Sequence, residues 1–230
     1  GRFKSRSARR IYQSDTRMNL RDFDAVIFDL DGLILDTEPT YFIAWQKAAA
    51  QMGFDLPFEF FENLSGLSYV EIRAYFQTQC GENFDFDLFH VKSSQCWRGI
   101  VVHQGIAVKR GVLNLVDRLK AKKIPYCIAT NSPRVNALEC LALAKIDPVF
   151  PRVIAREDVV HGKPMPDIFL KAADMLAVNI QSCIVLEDSP TGVLAANRAG
   201  AFTVFVPSAF PVDLQAQALA NLTLAHLDEL

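Results

Sequence analysis

A short continuous apolar run at residues 25–28 and similar runs at 124–129, 183–186 and 202–206 constrain the fold of this chain more than any other feature. Runs of that length without alternation are expected of strands buried on both faces. Amphipathic helical patterns separate them, at residues 112–121, 134–145, 167–176 and 191–199. Strand alternating with helix implies right-handed crossovers and an α/β, doubly wound, mostly parallel sheet. The first two runs are separated by about 90 residues, far beyond an ordinary connection. That interval has helical patterns of its own, at 41–52, 69–79 and 86–102, so an all-helical domain is expected to be inserted there. The division that follows is a core of residues 18–35 and 107–230 and a helical cap of residues 36–106. Ligands of such sheets bind outside the carboxyl ends of the strands, which an insertion at that point would roof.

Net charge limits the partners. The 230 residues carry a formal charge of −2, but residues 1–17 hold six basic residues against Asp15 alone, leaving 18 basic and 25 acidic residues, or −7, from Met18 onward. The composition of residues 1–17 is shared by organellar transit peptides and by cloning remnants; the segment is read as a leader, tag remnant or flexible extension, the remnant being favoured, and set apart from the fold. An acidic body gives no footprint for nucleic acid, and no apolar stretch is long enough to span a membrane. The five cysteines (Cys80, Cys96, Cys127, Cys140, Cys183) are odd in number and form no Cys-x-x-Cys pair. Free thiols in a reducing compartment are expected, hence a cytoplasmic protein, monomeric or weakly dimeric.

The chemistry gathers where the apolar runs end. The first is followed by Asp29-Leu30-Asp31-Gly32 and then Leu33-Ile34-Leu35-Asp36-Thr37-Glu38. Two carboxylates two positions apart can face one cleft, at a cost that a cation or a retained proton relieves. Taken alone, such a string is most often a solvated turn. The second run closes on Thr130-Asn131-Ser132 before Pro133, which reads equally as an anion site at a helix N-terminus or as a helix cap. Gly162-Lys163-Pro164-Met165-Pro166-Asp167 sets a lysine in a loop stiffened by two prolines. The 183–186 run ends in Glu187-Asp188-Ser189-Pro190-Thr191-Gly192, again paired acids, where Ser189 or Asp188 can also serve as a cap.

In this order the four elements resemble the haloacid dehalogenase superfamily, over essentially residues 20–207. The branch they resemble has a helical cap between the first two motifs and includes sugar-phosphate phosphatases and β-phosphoglucomutase. The resemblance implies a magnesium-dependent phosphatase for a small phosphorylated metabolite, a sugar or polyol phosphate. Asp29 would be the nucleophile that forms an aspartyl-phosphate, and Asp31 the general acid and then base. Magnesium would be held by the Asp29 carboxylate, the Asp31 backbone carbonyl and the Asp188 carboxylate, with Glu187 behind them. Thr130, the Asn131 backbone and Lys163 would meet the phosphoryl oxygens.

Asp31 argues against dehalogenation, which protonates no alkoxide. A phosphonate-hydrolysing relative would need a cap lysine as a Schiff base, and Lys47 and Lys92 read as solvated helix residues. The rival is a phosphomutase. At the places where β-phosphoglucomutases carry a cap His and Arg, this chain has Tyr41 and Tyr69, which favours hydrolysis. A catalytically silent regulatory protein on the same scaffold is the remaining alternative, although Asp29 and Asp31 are both present. Most cap aromatics, Trp45 and Trp97 among them, are expected in a small helical core. Glu38, Ser65 and Tyr69 are the candidates to face the substrate.

Overall fold

The computed structural model describes residues 19–64 and 69–230. Among these residues, six strands form a single parallel sheet. They are β1 (Ala25–Phe28), β2 (Tyr126–Ala129), β3 (Val153–Ile154), β4 (Cys183–Glu187), β5 (Phe202–Phe205) and β6 (Leu222–Thr223), in the order β3-β2-β1-β4-β5-β6. Helices α1 (Glu38–Gln51), α2 (Phe58–Glu62), α3 (Tyr69–Cys80) and α4 (Phe86–Gln104) lie between β1 and the next core helix, α5 (Val112–Lys122). The others are α6 (Arg134–Leu143), α7 (Asp167–Met175), α8 (Pro190–Ala199) and α9 (Leu214–Leu219). No helix among the described residues is long and apolar enough to cross a membrane.

Strand β1 is central, paired with β2 and β4, with Val26 opposite both Tyr126 and Ile184. Successive side chains of a strand point to opposite faces, and both faces here are apolar. Val26, Phe28, Ile128, Ile184, Leu186 and Val204 pack with α5 and α6. Ala25, Ile27, Cys127, Ala129 and Val185 pack with α7 and α8 on the other side. Helix α5 turns Val112, Leu115, Val116 and Leu119 inward at helical spacing and carries Lys120 and Lys122 in its last turn, where the helix dipole favours cations.

The expected strands and helices are present with small shifts at their ends. The 124–129 run becomes a strand only at Tyr126, because Pro125 has no N–H for the ladder, although Ile124 is buried. The 134–145 pattern ends at Leu143, and Lys145 takes a left-handed φ of 58°. Strands β3 and β6 and helices α2 and α9 are too short to show a periodicity, and none was expected from the sequence. All five cysteines are free, with Cys127, Cys140 and Cys183 buried.

The inserted helices have their own apolar cluster of Ala48, Ala49, Phe60, Phe61, Leu64, Phe76, Phe84, Phe86 and Phe89. Phe76 is fully buried at its centre, with ring centroids 4.4 Å from Phe89, 4.9 Å from Phe84 and 5.1 Å from Phe60. Helices α1 and α4 pack along each other and join this cluster to the sheet, since Ala44, Trp97, Ile100 and Val101 belong to the main core. The two chain segments that cross between the regions are tied together. Asp36 N donates to Ala107 O (2.9 Å) and Lys109 N to Ile34 O (2.8 Å).

Truncating Phe76 removes the ring on which the aromatic cluster closes. Phe76→Ala is expected to lower unfolding stability by about 3–5 kcal/mol, as read from denaturant titration followed by circular dichroism.

Candidate active site

The residues of the three central strand ends converge because β2, β1 and β4 are neighbours. Asp29 follows β1 directly, with its N–H bonded to Leu186 O of β4 (3.0 Å). Thr130 follows β2, Glu187 is the last residue of β4, and Asp188 follows it. Asp29, Glu187 and Asp188 are all buried, and each offers a carboxylate oxygen within 4.8 Å of the others.

Lys163 reaches this cluster from the loop before α7. Its side chain is only 5% exposed, and its ammonium donates to Asp29 Oδ1 and to Glu187 Oε1 (2.6 Å), while lying 5.0 Å from the Phe169 ring centroid. The loop is aimed by Asn131, whose side chain accepts from Lys163 N (2.8 Å) and donates to Lys163 O (3.1 Å). The other oxygen of Glu187 accepts from the Asp188 and Ser189 N–H groups and from Ser189 Oγ. Ser189 Oγ in turn caps α8 by accepting from Gly192 N (3.1 Å), as the capping reading of that serine expects.

Two glycines make room for the acids. A Cβ on Gly192 would sit 1.9 Å from the Glu187 carboxyl carbon, and one on Gly32 would sit 2.1 Å from Asp188 Oδ2. Gly32 also has a φ of +86°, which turns the chain sharply after Asp31 and which side chains disfavour.

Asp31 stands beside this cluster with different partners. Its carboxylate oxygens accept from Ser132 Oγ (2.7 Å) and Thr37 Oγ1 (3.1 Å). Burial pushes its carboxyl up and the Asp29 charge adds to the rise, against the lowering effect of those two hydrogen bonds. Burial likewise raises Asp188, helped by Asp29 and Glu187, and raises Glu187 to about 7 against the pull of Lys163. Burial works against the Lys163 ammonium, but the Asp29 and Glu187 carboxylates outweigh it and hold the lysine charged.

One ammonium facing three buried carboxylates leaves negative charge uncompensated. An all-oxygen donor set of this kind suits a hard divalent cation such as magnesium. The residues present therefore fit the metal that the sequence resemblance implies.

The other expected site residues fall as follows. Thr130 is buried and its hydroxyl accepts from Ser132 N (3.0 Å), while Asn131 is exposed beside the lysine loop. Glu38, half-buried at the start of α1, is near enough to Asp188 for its charge to act on that carboxyl. Ser65 lies outside the described residues, as does the side chain of Tyr69 at the start of α3. Ser208 was not singled out from the sequence. Its hydroxyl donates to Asp188 Oδ2 (2.6 Å), and its signal was a small hydroxyl residue just beyond the 202–206 run.

Comparison with known proteins agrees with this arrangement. A family model described as haloacid dehalogenase-like hydrolase matches residues 26–206. The chain is 34% identical over 196 residues to a "Probable pseudouridine-5'-phosphatase" of Drosophila melanogaster, covering 82% of this chain and 83% of that protein. It is also 34% identical over 216 residues to the β-phosphoglucomutase of Bacillus subtilis (89% and 94%), and 31% identical over 182 residues to a phosphorylated carbohydrates phosphatase of Thermotoga maritima (77% and 82%). A crystal structure of a family IA HAD hydrolase from Entamoeba histolytica superposes with a TM-score of 0.76 at 28% identity, covering 90% of this chain and 95% of that one. The motif order, the parallel sheet with its helical insertion and the family match lead to one assignment: this chain belongs to the haloacid dehalogenase-like hydrolases.

Proposed function

We propose that this protein is a magnesium-dependent phosphatase that hydrolyses a small phosphomonoester, a sugar or polyol phosphate, through an aspartyl-phosphate on Asp29. The observation that carries the reading is the pairing of Asp29 on the Lys163 ammonium with Asp31, two residues on, held by two hydroxyls at the same strand end. Asp29 attacks phosphorus, and the bond from phosphorus to the leaving oxygen breaks. Asp31 gives its proton to that oxygen, then takes one from the water that attacks the phosphorylated Asp29. Phosphate leaves, and both carboxyls return to their starting states.

Lys163, the Thr130 hydroxyl and the Asn131 backbone N–H neutralise the transferring oxygens, with Glu187 anchoring the lysine. The carboxylates of Asp29 and Asp188 and the Asp31 carbonyl would hold magnesium, which supplies positive charge against the phosphoryl oxygens. Residues 36–106 serve as a cap over this centre, and Glu38, Ser65 and Tyr69 face the leaving group.

Hydrolysis is preferred to phosphoryl transfer between two positions of a sugar. The relatives include named phosphatases as well as a mutase, so similarity alone does not separate the two. Tyr41 and Tyr69 do. Tyr41 is stacked on Trp45 and Trp97. Neutral phenols at the two places would impair both control of the phosphoenzyme and the grip on a second phosphate.

Asp29→Asn is expected to cut phosphate release from a sugar-phosphate panel by at least about 1,000-fold. Turnover retained in that variant would remove Asp29 as the nucleophile. With β-glucose 1-phosphate as substrate, free phosphate is the expected product, and glucose 6-phosphate as the main product would make the enzyme a mutase. Magnesium at a hundredfold excess over its Kd should stabilise the fold by about 2.7 kcal/mol, or several degrees of Tm at roughly 2–4 °C per kcal/mol for a chain of this size. Asp188→Asn should abolish that shift, and a Tm indifferent to magnesium in the native protein would count against the metal site.

A further inference from the structure

Ser208 lies outside the four sequence motifs, yet the sheet delivers it to one of the buried carboxylates. Strand β5 runs beside β4 with Phe205 opposite Glu187, and the pairing continues past the strand ends. Val206 N donates to Glu187 O (2.7 Å), and Ser208 N approaches Asp188 O (3.4 Å). The Ser208 hydroxyl then donates to Asp188 Oδ2 (2.6 Å). Main chain and side chain of one residue therefore both address Asp188.

The same carboxylate oxygen is enclosed from a second direction. A Cβ on Gly32 would sit 2.1 Å from Asp188 Oδ2 and 3.2 Å from Ser208 Oγ. The oxygen and the hydroxyl thus fill the space that glycine leaves at the turn after Asp31, whose carbonyl belongs to the proposed metal site. Oδ2 is committed to the protein, whereas Oδ1 accepts no hydrogen bond among the described residues.

We propose that Ser208 is a positioning residue that confines Asp188 to one ligating oxygen and so sets the preference of the centre for magnesium over calcium. The inference rests on the magnesium site of the proposed function and deepens it. The physical reason lies in the two ions. Magnesium is small and demands a near-octahedral shell at about 2.0–2.1 Å, whereas calcium takes about six to eight oxygens at about 2.3–2.6 Å and accepts both oxygens of one carboxylate. Those two oxygens subtend too narrow an angle for neighbouring corners of a small octahedron, so chelation by both serves calcium. A hydroxyl that keeps one of them occupied removes that option. Partners that orient a ligating carboxylate are worth about 10–100-fold in metal affinity. A serine that only anchored the loop after β5 would leave the choice between the ions unchanged.

Isothermal titration of the metal-free protein with magnesium and with calcium tests this without turnover. In Ser208→Ala the magnesium Kd should rise about 10-fold or more, while calcium binding weakens less or tightens, so that the ratio of the two Kd values moves about 10-fold towards calcium. Ser208→Thr, which keeps the hydroxyl, should retain the native ratio. An unchanged ratio in Ser208→Ala would overturn the proposal, whether both affinities fall together or neither falls. Should circular dichroism show Ser208→Ala to be unfolded, the native protein still decides, since calcium bound as tightly as magnesium would overturn the proposal and magnesium bound more tightly would support it. The ratio shift without phosphate release from any ester would leave this inference standing and remove the phosphatase reading. Magnesium-dependent release with the same ratio in native protein and Ser208→Ala would do the reverse.

Discussion

A knot of carboxylates shut away from water, and only partly balanced by one ammonium, governs the arrangement of everything around it. Taking an ion out of water costs several kcal/mol unless partners replace its hydration. Here Glu187 gains Lys163, two backbone N–H groups and a serine hydroxyl, and Lys163 gains Asp29 as well. Those partners come from three separated parts of the chain, which meet because β1 and β4 are hydrogen-bonded neighbours. The glycines at 32 and 192 are part of the same solution, since a methyl group at either would collide with a carboxylate of the knot.

The inserted helices solve a different problem, that of keeping an apolar cluster of their own while remaining joined to the sheet. Helix α4 does this over its 19 residues, burying Phe86 and Phe89 in the aromatic cluster and Trp97, Ile100 and Val101 in the core beneath. The paired crossing segments near Asp36 and Lys109 hold the two regions in register through backbone hydrogen bonds. Aromatic side chains thus serve two purposes there. Phe76 and its neighbours are core, whereas Trp45 and Trp97 also line a cavity between the inserted helices and α6.

The acidic excess of the chain is spent partly at this centre. Asp29, Asp31, Glu187 and Asp188 crowd the strand ends, and Glu38 approaches from α1. A divalent cation there would reverse the local field, so a protein of net negative charge can still receive a phosphate ester. The acidity that argues against a nucleic-acid surface is what equips the site for a metal.

Much of this was legible in the linear chain. Short, mainly apolar runs marked β1, β2, β4 and β5, because burial on both faces leaves few polar positions, Thr203 of β5 being one, and the acids directly after two of them marked the site. Strands β3 and β6 left no such trace, since two residues at a sheet edge carry no period. Ser208 was hidden for a related reason: a serine after a strand is common, and only folding brings its hydroxyl to Asp188. The order of the motifs by itself determined the family, the parallel sheet and the candidate acids, all of which depend on local pattern and chain order. Tertiary structure alone decided which carboxylates share a lysine and which hydroxyls hold Asp31, because burial and proximity arise between residues that the chain keeps far apart.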